Sequence, residues 1–309
     1  MQKSITVFMV GMLITLAGCN GNQQERQTSG ERVTITHALD TVEVPMNPQR
    51  VVVLDFSALE NLDYLGIKPV GVPMSGLPAH LSKYSEDASI TDVGSIVEVN
   101  LEKINALQPD LIIMGRRLVE FYEELTAIAP VIYPNVDGSD DFLGAFTTNL
   151  HDLGEIFGRQ EQLNEALAAI NKRIERVKAK VETSEGKALI LLHNRGRFSA
   201  YGSGSRFGFI HDVLGVPEAA QGLGTHTHGN PVSSEYVQKV NPDILFIVDR
   251  SQVVGNLVLD REQVENQLVQ QTNASRKGMI IYLNPEYWYL AGGGITSVNA
   301  MIDEVEQAL

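Results

Sequence analysis

The 309-residue sequence has a single cysteine, Cys19, so no intramolecular disulfide can staple the fold and the globular part must rest on its apolar core alone. Long hydrophobic runs are scarce as well. The apolar stretch Val7 to Leu16 is about half the roughly 20 residues a permanent membrane-spanning helix needs. Basic residues are in the minority, 24 against 38 acidic ones, and the net charge of −14 argues against nucleic acid, whose phosphates require a basic face. Two catalytic signatures are also missing. The glycine-rich loop Gly202-Ser203-Gly204-Ser205 has neither the spacing of a nucleophile elbow nor the Lys-Ser or Lys-Thr of a phosphate loop, so the chain is expected not to be an enzyme.

What is present at the N-terminus speaks of export. Lys3, the apolar stretch and Leu16-Ala17-Gly18 have the form of a secretory signal over residues 1–18 with a small-residue cleavage site. Leu16-Ala17-Gly18-Cys19 resembles a bacterial lipobox, which implies a lipid anchor on Cys19 and an extracytoplasmic, membrane-tethered protein. Residues 19–31, rich in Gln, Asn, Gly and Ser, read as the tether. Lys3 is the only charged residue in 1–18, so their removal takes the net charge from −14 to −15. An anionic ligand would then need a local cluster of arginines.

The remainder divides around one long helix. Leu163, Leu167, Ile170, Ile174, Val177 and Val181 recur at spacings of four and three, one stripe of an amphipathic helix from Arg159 to about Glu182, bounded by Gly158 and Gly186. Flanking it, short apolar runs alternate with helical patterns. Strands are expected at 50–54, 69–72, 111–114 and 131–133, and again at 187–192, 198–201, 244–248 and 279–283. The fold class is therefore α/β, with two Rossmann-like lobes of mostly parallel sheet, residues 32–157 and 186–309, joined by the helix 158–185, and a ligand cleft between the lobes.

An internal similarity ties the lobes together. Val99–Arg117 can be laid without a gap on Val232–Arg250. Each copy has a helix cap (Asn100, Ser233), a glutamate in the first helical turn (Glu102, Glu235), a Pro-Asp turn and an apolar strand that ends near an arginine, Arg117 or Arg250. Open α/β sheets bind ligands beyond the carboxyl ends of their strands, which aims both arginines at the cleft. Arg206 follows a strand on the glycine-rich loop, and guanidinium forks suit planar, oxygen-rich anions. Arg116 competes with its neighbour for the first position. In Thr225-His226-Thr227-His228-Gly229 at most one imidazole is expected to serve as a ligand, and solvated loop histidines are the bland alternative. Among the aromatics of Asn284 to Leu290, Trp288 can pack in the core or stack on a ligand, while the glycine run 292–294 is expected to leave the backbone open beside Tyr289, whose phenolate is a hard donor suited to ferric iron.

Taken with the Ser205-Arg206-Phe207-Gly208, His228-Gly229, Val248-Asp249-Arg250 and Pro285-Glu286-Tyr287-Trp288-Tyr289 segments, this plan resembles the ferric-siderophore-binding lipoproteins of ABC importers. The likeness is to the helical-backbone class of periplasmic binding proteins, in the branch that takes petrobactin- and enterobactin-type catecholates. The resemblance implies that Arg117, Arg206 and Arg250 hold catecholate oxygens. It also implies that His228, or its neighbour His226, and Tyr289 fill iron positions left open by a four-donor siderophore, and that Glu102 and Glu235 dock on the permease. It implies a monomer with no permanent cofactor, ferric iron arriving as part of its siderophore complex. The continuous helix between the lobes predicts modest closure about it. Carriers of haem, cobalamin or zinc share the two-lobe plan and are the alternative.

Overall fold

The computed structural model describes residues 30–136, 141–226, 228–255 and 257–309. The expected signal segment, Cys19 and nearly all of the expected tether lie outside the described residues. No described helix is long and apolar enough to cross a membrane.

A hairpin opens the body: β1 (Arg32–Thr36) pairs antiparallel with β2 (Thr41–Pro45), and the alternation of Val33 and Ile35 with polar residues turns one face to the core. The first lobe then builds a five-stranded, wholly parallel sheet from β3 (Val51–Val53), β4 (Gly71–Val72), β5 (Thr91–Asp92), β6 (Leu111–Ile113) and β7 (Val131–Ile132), in the order β5-β4-β3-β6-β7. Its principal helices are α1 (Phe56–Tyr64), capped by the Asp55 side chain, and α2 (Leu101–Ala106), capped by Asn100. The second lobe contains β8 (Ala188–Asn194), β9 (Arg197–Tyr201), β10 (Asn230–Val232), β11 (Ile244–Asp249) and β12 (Ile280–Leu283), in the order β10-β9-β8-β11-β12.

Between the sheets run α3 (Phe142–Phe157) and α4 (Gln160–Val181), packed on one another. Gly158, in the left-handed region at φ 62°, separates them. Helix α4 spans 22 residues, about 33 Å, and every residue of the apolar stripe read from the sequence is buried.

The pseudo-repeat is a structural one. The chain passes from α2 to β6 and from α5 (Ser234–Val240), capped by Ser233, to β11 through turns whose equivalent residues, Gln108 and Asn241, both take positive φ, 45° and 51°. After each Pro-Asp turn the aspartate receives backbone N–H groups from the start of the neighbouring strand, Gln49 and Arg50 on Asp110 and Lys187 on Asp243.

The strands differ in part from the expected set. The second sheet is parallel only across β8, β11 and β12, because β9 turns back on β8 as a hairpin and β10 joins it antiparallel. The strands β1, β2, β5 and β10 were not read from the sequence, three of them being short or bearing proline, which obscures the two-residue period. The lobes share a core in addition to a smaller apolar cluster in each. One apolar cluster takes in Val51, Val53 and Ile113 of the first sheet, the buried stripe of α4, and Ile190, Phe246 and Val248 of the second. The last helix, α6 (Ile295–Gln307), packs on both α4 and α1, so the C-terminus seals the seam between the lobes. Glu31–Leu309 accordingly forms one compact unit.

Candidate functional site

Between the carboxyl ends of the two sheets lies a cleft of about 720 Å³. Its floor follows from strand alternation on the β8–β9 hairpin: Leu192 and Asn194 of β8 and Arg197, Ser199 and Tyr201 of β9 face the opening, while Leu191 and Ala200 point into the core behind. Arg116, Arg117, Arg206, Arg250 and Tyr289 also line it, and among the described residues that line the cleft none is acidic.

Tyr289 is the hub. Its backbone carbonyl accepts from Arg117 Nη2 (2.7 Å) and from Arg206 Nη2 (2.6 Å), and its hydroxyl accepts from Arg250 Nε (2.8 Å). The Arg206 guanidinium lies 4.1 Å above the phenol ring, with those of Arg117 and Arg250 at 5.6 and 5.7 Å. Burial alone would raise the Tyr289 pKa. The Arg250 hydrogen bond and the charges of Arg206, Arg250 and Arg117 outweigh it, so the phenol is held below its ordinary value. Tyr201 beside it shows the contrary balance: burial dominates the arginine charges and pushes the phenol up to about 12. Of the two neighbouring tyrosines, the one ringed by guanidinium groups is the one whose phenol ionises more readily.

Local packing explains why Arg206 sits where it does. Phe207 is buried edge-to-face on Tyr201, with ring centroids 4.7 Å apart, the Gly204 N–H donates to Asp212 Oδ2 (2.7 Å), and the Ser205 hydroxyl caps the Gly202 carbonyl. A Cβ at Gly208 would collide with the Asp212 carboxyl, so Ser-Arg-Phe-Gly is a folded unit that presents one arginine. Arg250 follows directly on β11. Behind it the Asp249 carboxyl is buried against His193 Nδ1 (3.0 Å) and the Ser251 N–H (3.0 Å). His193 Nε2 in turn accepts the Gly196 N–H (2.9 Å), which assigns the ring proton to Nδ1 and ties the hairpin turn to the Arg250 backbone.

The sequence-derived residues sort clearly. Arg117, Arg206, Arg250 and Tyr289 converge within the cleft. Arg116 also lines it, so both members of the Arg-Arg pair reach the site rather than one. His228 is exposed on the cleft wall, where Gly229 at φ 71° lets the turn lie against the Tyr201 ring. His226 packs its ring over Gly224 and is not among the cleft residues. Trp288 must be corrected as a ligand contact. Only 3% exposed, it donates its indole N–H to Glu304 Oε2 (2.6 Å) and meets Phe209 edge-to-face, so the ring serves the core.

The glycine run also has a different use. A Cβ at Gly293 would strike Val136, and one at Gly294 the Glu60 carboxyl, so these glycines let the second lobe close on α1. Glu102 and Glu235 stand exposed in the first turns of α2 and α5. Because each helix runs antiparallel to the strand it precedes, both carboxyls lie at the sheet edge that carries the cleft. Sequence reading missed Asn194, Arg197 and Ser199. The signal was available: Arg195 and Gly196, at φ 51° and 79°, form the two-residue turn of a hairpin, after which Arg197, Ser199 and Tyr201 alternate onto one face. Among the described residues no three His, Cys, Asp or Glu side chains gather as a metal cage.

Comparison with known proteins agrees with this architecture. The chain is 39% identical over 317 residues to the petrobactin-binding protein YclQ of Bacillus subtilis, covering 100% of this chain and 99% of that one. It is 36% identical over 300 residues to the ferric-anguibactin-binding protein FatB of Vibrio anguillarum, covering 95% and 93%. The crystal structure of YclQ superposes with a TM-score of 0.87 at 41% identity, over 90% of this chain and 98% of that one. The siderophore-binding protein BauB, bound to a complex between two molecules of acinetobactin and ferric iron, superposes with a TM-score of 0.84 at 36% identity over the same shares. With the sequence profile of the family called Periplasmic binding protein matching residues 51–287, this chain belongs to that family.

Proposed function

We propose that this chain is the extracytoplasmic capture protein of an ABC importer, a binding protein rather than an enzyme, and that it carries a ferric catecholate siderophore in the cleft between its lobes. The observation that carries the reading is the convergence of Arg117, Arg206 and Arg250 on Tyr289 in a large cleft whose described lining has no carboxylate, within a molecule of net charge −14. A deprotonated ferric catecholate is an anion with flat aromatic walls. Guanidinium donors attract its oxygens, and tyrosine rings face its planes. Relatives named for petrobactin and for ferric anguibactin support the same ligand class.

Tyr289, with its pKa lowered by the surrounding arginines, and His228 on the cleft wall are the donors suited to complete iron coordination when the siderophore supplies only four atoms. Arg116 is a further guanidinium for the same anion. Glu102 and Glu235, one on each pseudo-repeat, are the docking contacts for the permease, and Cys19 carries the lipid that keeps the protein at the membrane. The body works as a monomer. Since one core runs through both lobes, ligand binding is accompanied by small closure rather than a wide hinge swing.

The test is a titration of the purified chain with ferric bis-catecholate and ferric tris-catecholate, read by quenching of tyrosine and tryptophan fluorescence. Arg206→Ala and Arg250→Ala are expected to weaken both ligands by about a hundredfold, since each removes a charge-assisted contact worth about 2–3 kcal/mol. His228→Ala and Tyr289→Phe should weaken the four-donor chelate alone. Unchanged affinity in both arginine variants would end the anion-clamp reading.

A further inference from the structure

The cleft holds more positive charge than the cluster around Tyr289 accounts for. Arg197 lies outside the three arginines that donate to Tyr289: it stands on the β8–β9 hairpin four residues from Tyr201, about 13 Å along the strand, and two strands, about 10 Å, from the backbone of Arg250. Tyr201 feels the charges of Arg206, Arg116 and Arg250, and these belong with Arg117 to the inner group. Directly across the hairpin from Arg197 is Asn194, and the next inward-facing residue on β9 is Ser199; both also line the cleft. A guanidinium, an amide and a hydroxyl on one exposed sheet face offer donors for a carboxylate. Opposite them the first lobe contributes Val97, 60% exposed, an apolar surface suited to a hydrocarbon linker.

We infer that Arg197, Asn194 and Ser199 form a distal subsite for a carboxylate carried on the backbone of the siderophore, away from the iron centre. The inference rests on the catecholate reading and sharpens it to chelates that are anionic in two places. Arg197 is positioned for it by the hairpin turn, whose Gly196 N–H is held by the buried His193–Asp249 pair. The selectivity is thus built into the second lobe, where the hairpin has no counterpart in the first.

Two ferric chelates that differ by one carboxylate decide the matter: those of the bis(2,3-dihydroxybenzoyl) amides of lysine and of cadaverine. Wild type is expected to bind the lysine chelate about tenfold more tightly. Arg197→Ala, a change at an exposed side chain that leaves the core intact, should remove that preference, so that the two chelates bind within about twofold of each other. If wild type binds the two alike, or if Arg197→Ala weakens both equally, the distal subsite is overturned, and Arg206→Ala weakening both would then show the catecholate reading still standing. Failure of wild type to bind either chelate would bring down the catecholate reading and the subsite together.

Discussion

The two lobes share three strands and diverge at the fourth. β3, β6 and β7 in one lobe match β8, β11 and β12 in the other, as the common register of Val51 with Leu111 and Ala188 with Ile244 shows. Beyond β3 the first lobe inserts helix α1 before returning parallel as β4. Beyond β8 the second lobe turns at once through Arg195-Gly196 and returns antiparallel as β9. The divergence divides the labour. Helix α1 supplies the seam: Glu60, fully buried, accepts the Ser297 N–H (2.8 Å) and hydroxyl (2.6 Å) and meets His80 Nε2 (2.6 Å), while Asn61 Oδ1 accepts the Ile295 N–H (2.9 Å), capping α6 from the other lobe. The hairpin supplies the floor of the cleft. Helix α1 of the first lobe holds the seam, and the hairpin of the second lobe floors the cleft that Arg116 and Arg117 of the first also line.

The comparison breaks first at Glu60. Glu60→Ala would leave His80 and two Ser297 donors without their buried partner, and unfolding by urea should reveal a loss of about 3 kcal/mol. Chelate affinity of the folded fraction should change by less than about twofold, and a large affinity loss would mean that the seam also shapes the cleft. A smaller effect is expected in the hairpin. Gly196→Ala puts a Cβ at φ 79° against the Gln263 amide and should cost about 1 kcal/mol by thermal unfolding. Its larger consequence should be weaker chelate binding, the inverse of the Glu60 pattern.

The smallest effect concerns pH. Burial lowers the His80 pKa, but the hydrogen bond and charge of Glu60, with the charge of Glu286 from the second lobe, outweigh it and raise the value above 6.5. Its contribution to stability is therefore complete below about pH 6.5 and is lost as pH rises through the raised value. Thermal unfolding across that window should show His80→Phe with a flatter profile than wild type, and equal slopes would remove His80 from the seam.

Much of this was legible beforehand because it is local. The caps at Asn100 and Ser233, the stripe on α4 and the Pro-Asp turns are short-range patterns set by hydrogen bonding and helical period, and they carried the repeat and with it Arg117, Arg250 and the cleft. Trp288 was ambiguous since an aromatic at a strand end serves either core or ligand. Only Glu304, sixteen residues on, and Phe209 decide it. Gly293 and Gly294 could not be read correctly either, because the atoms that forbid a side chain there, in Val136 and Glu60, belong to the other lobe.

By itself, then, the chain's order of residues determined two pseudo-repeated α/β halves, the buried face of the helix between them and the arginines at their strand ends, since period and capping act over a few residues. Tertiary structure alone decided that three arginines close around Tyr289, that Arg116 and Arg197 line the same cleft, and that α6 locks onto α1. Those outcomes depend on which surfaces meet across hundreds of residues, and no local pattern encodes such a meeting.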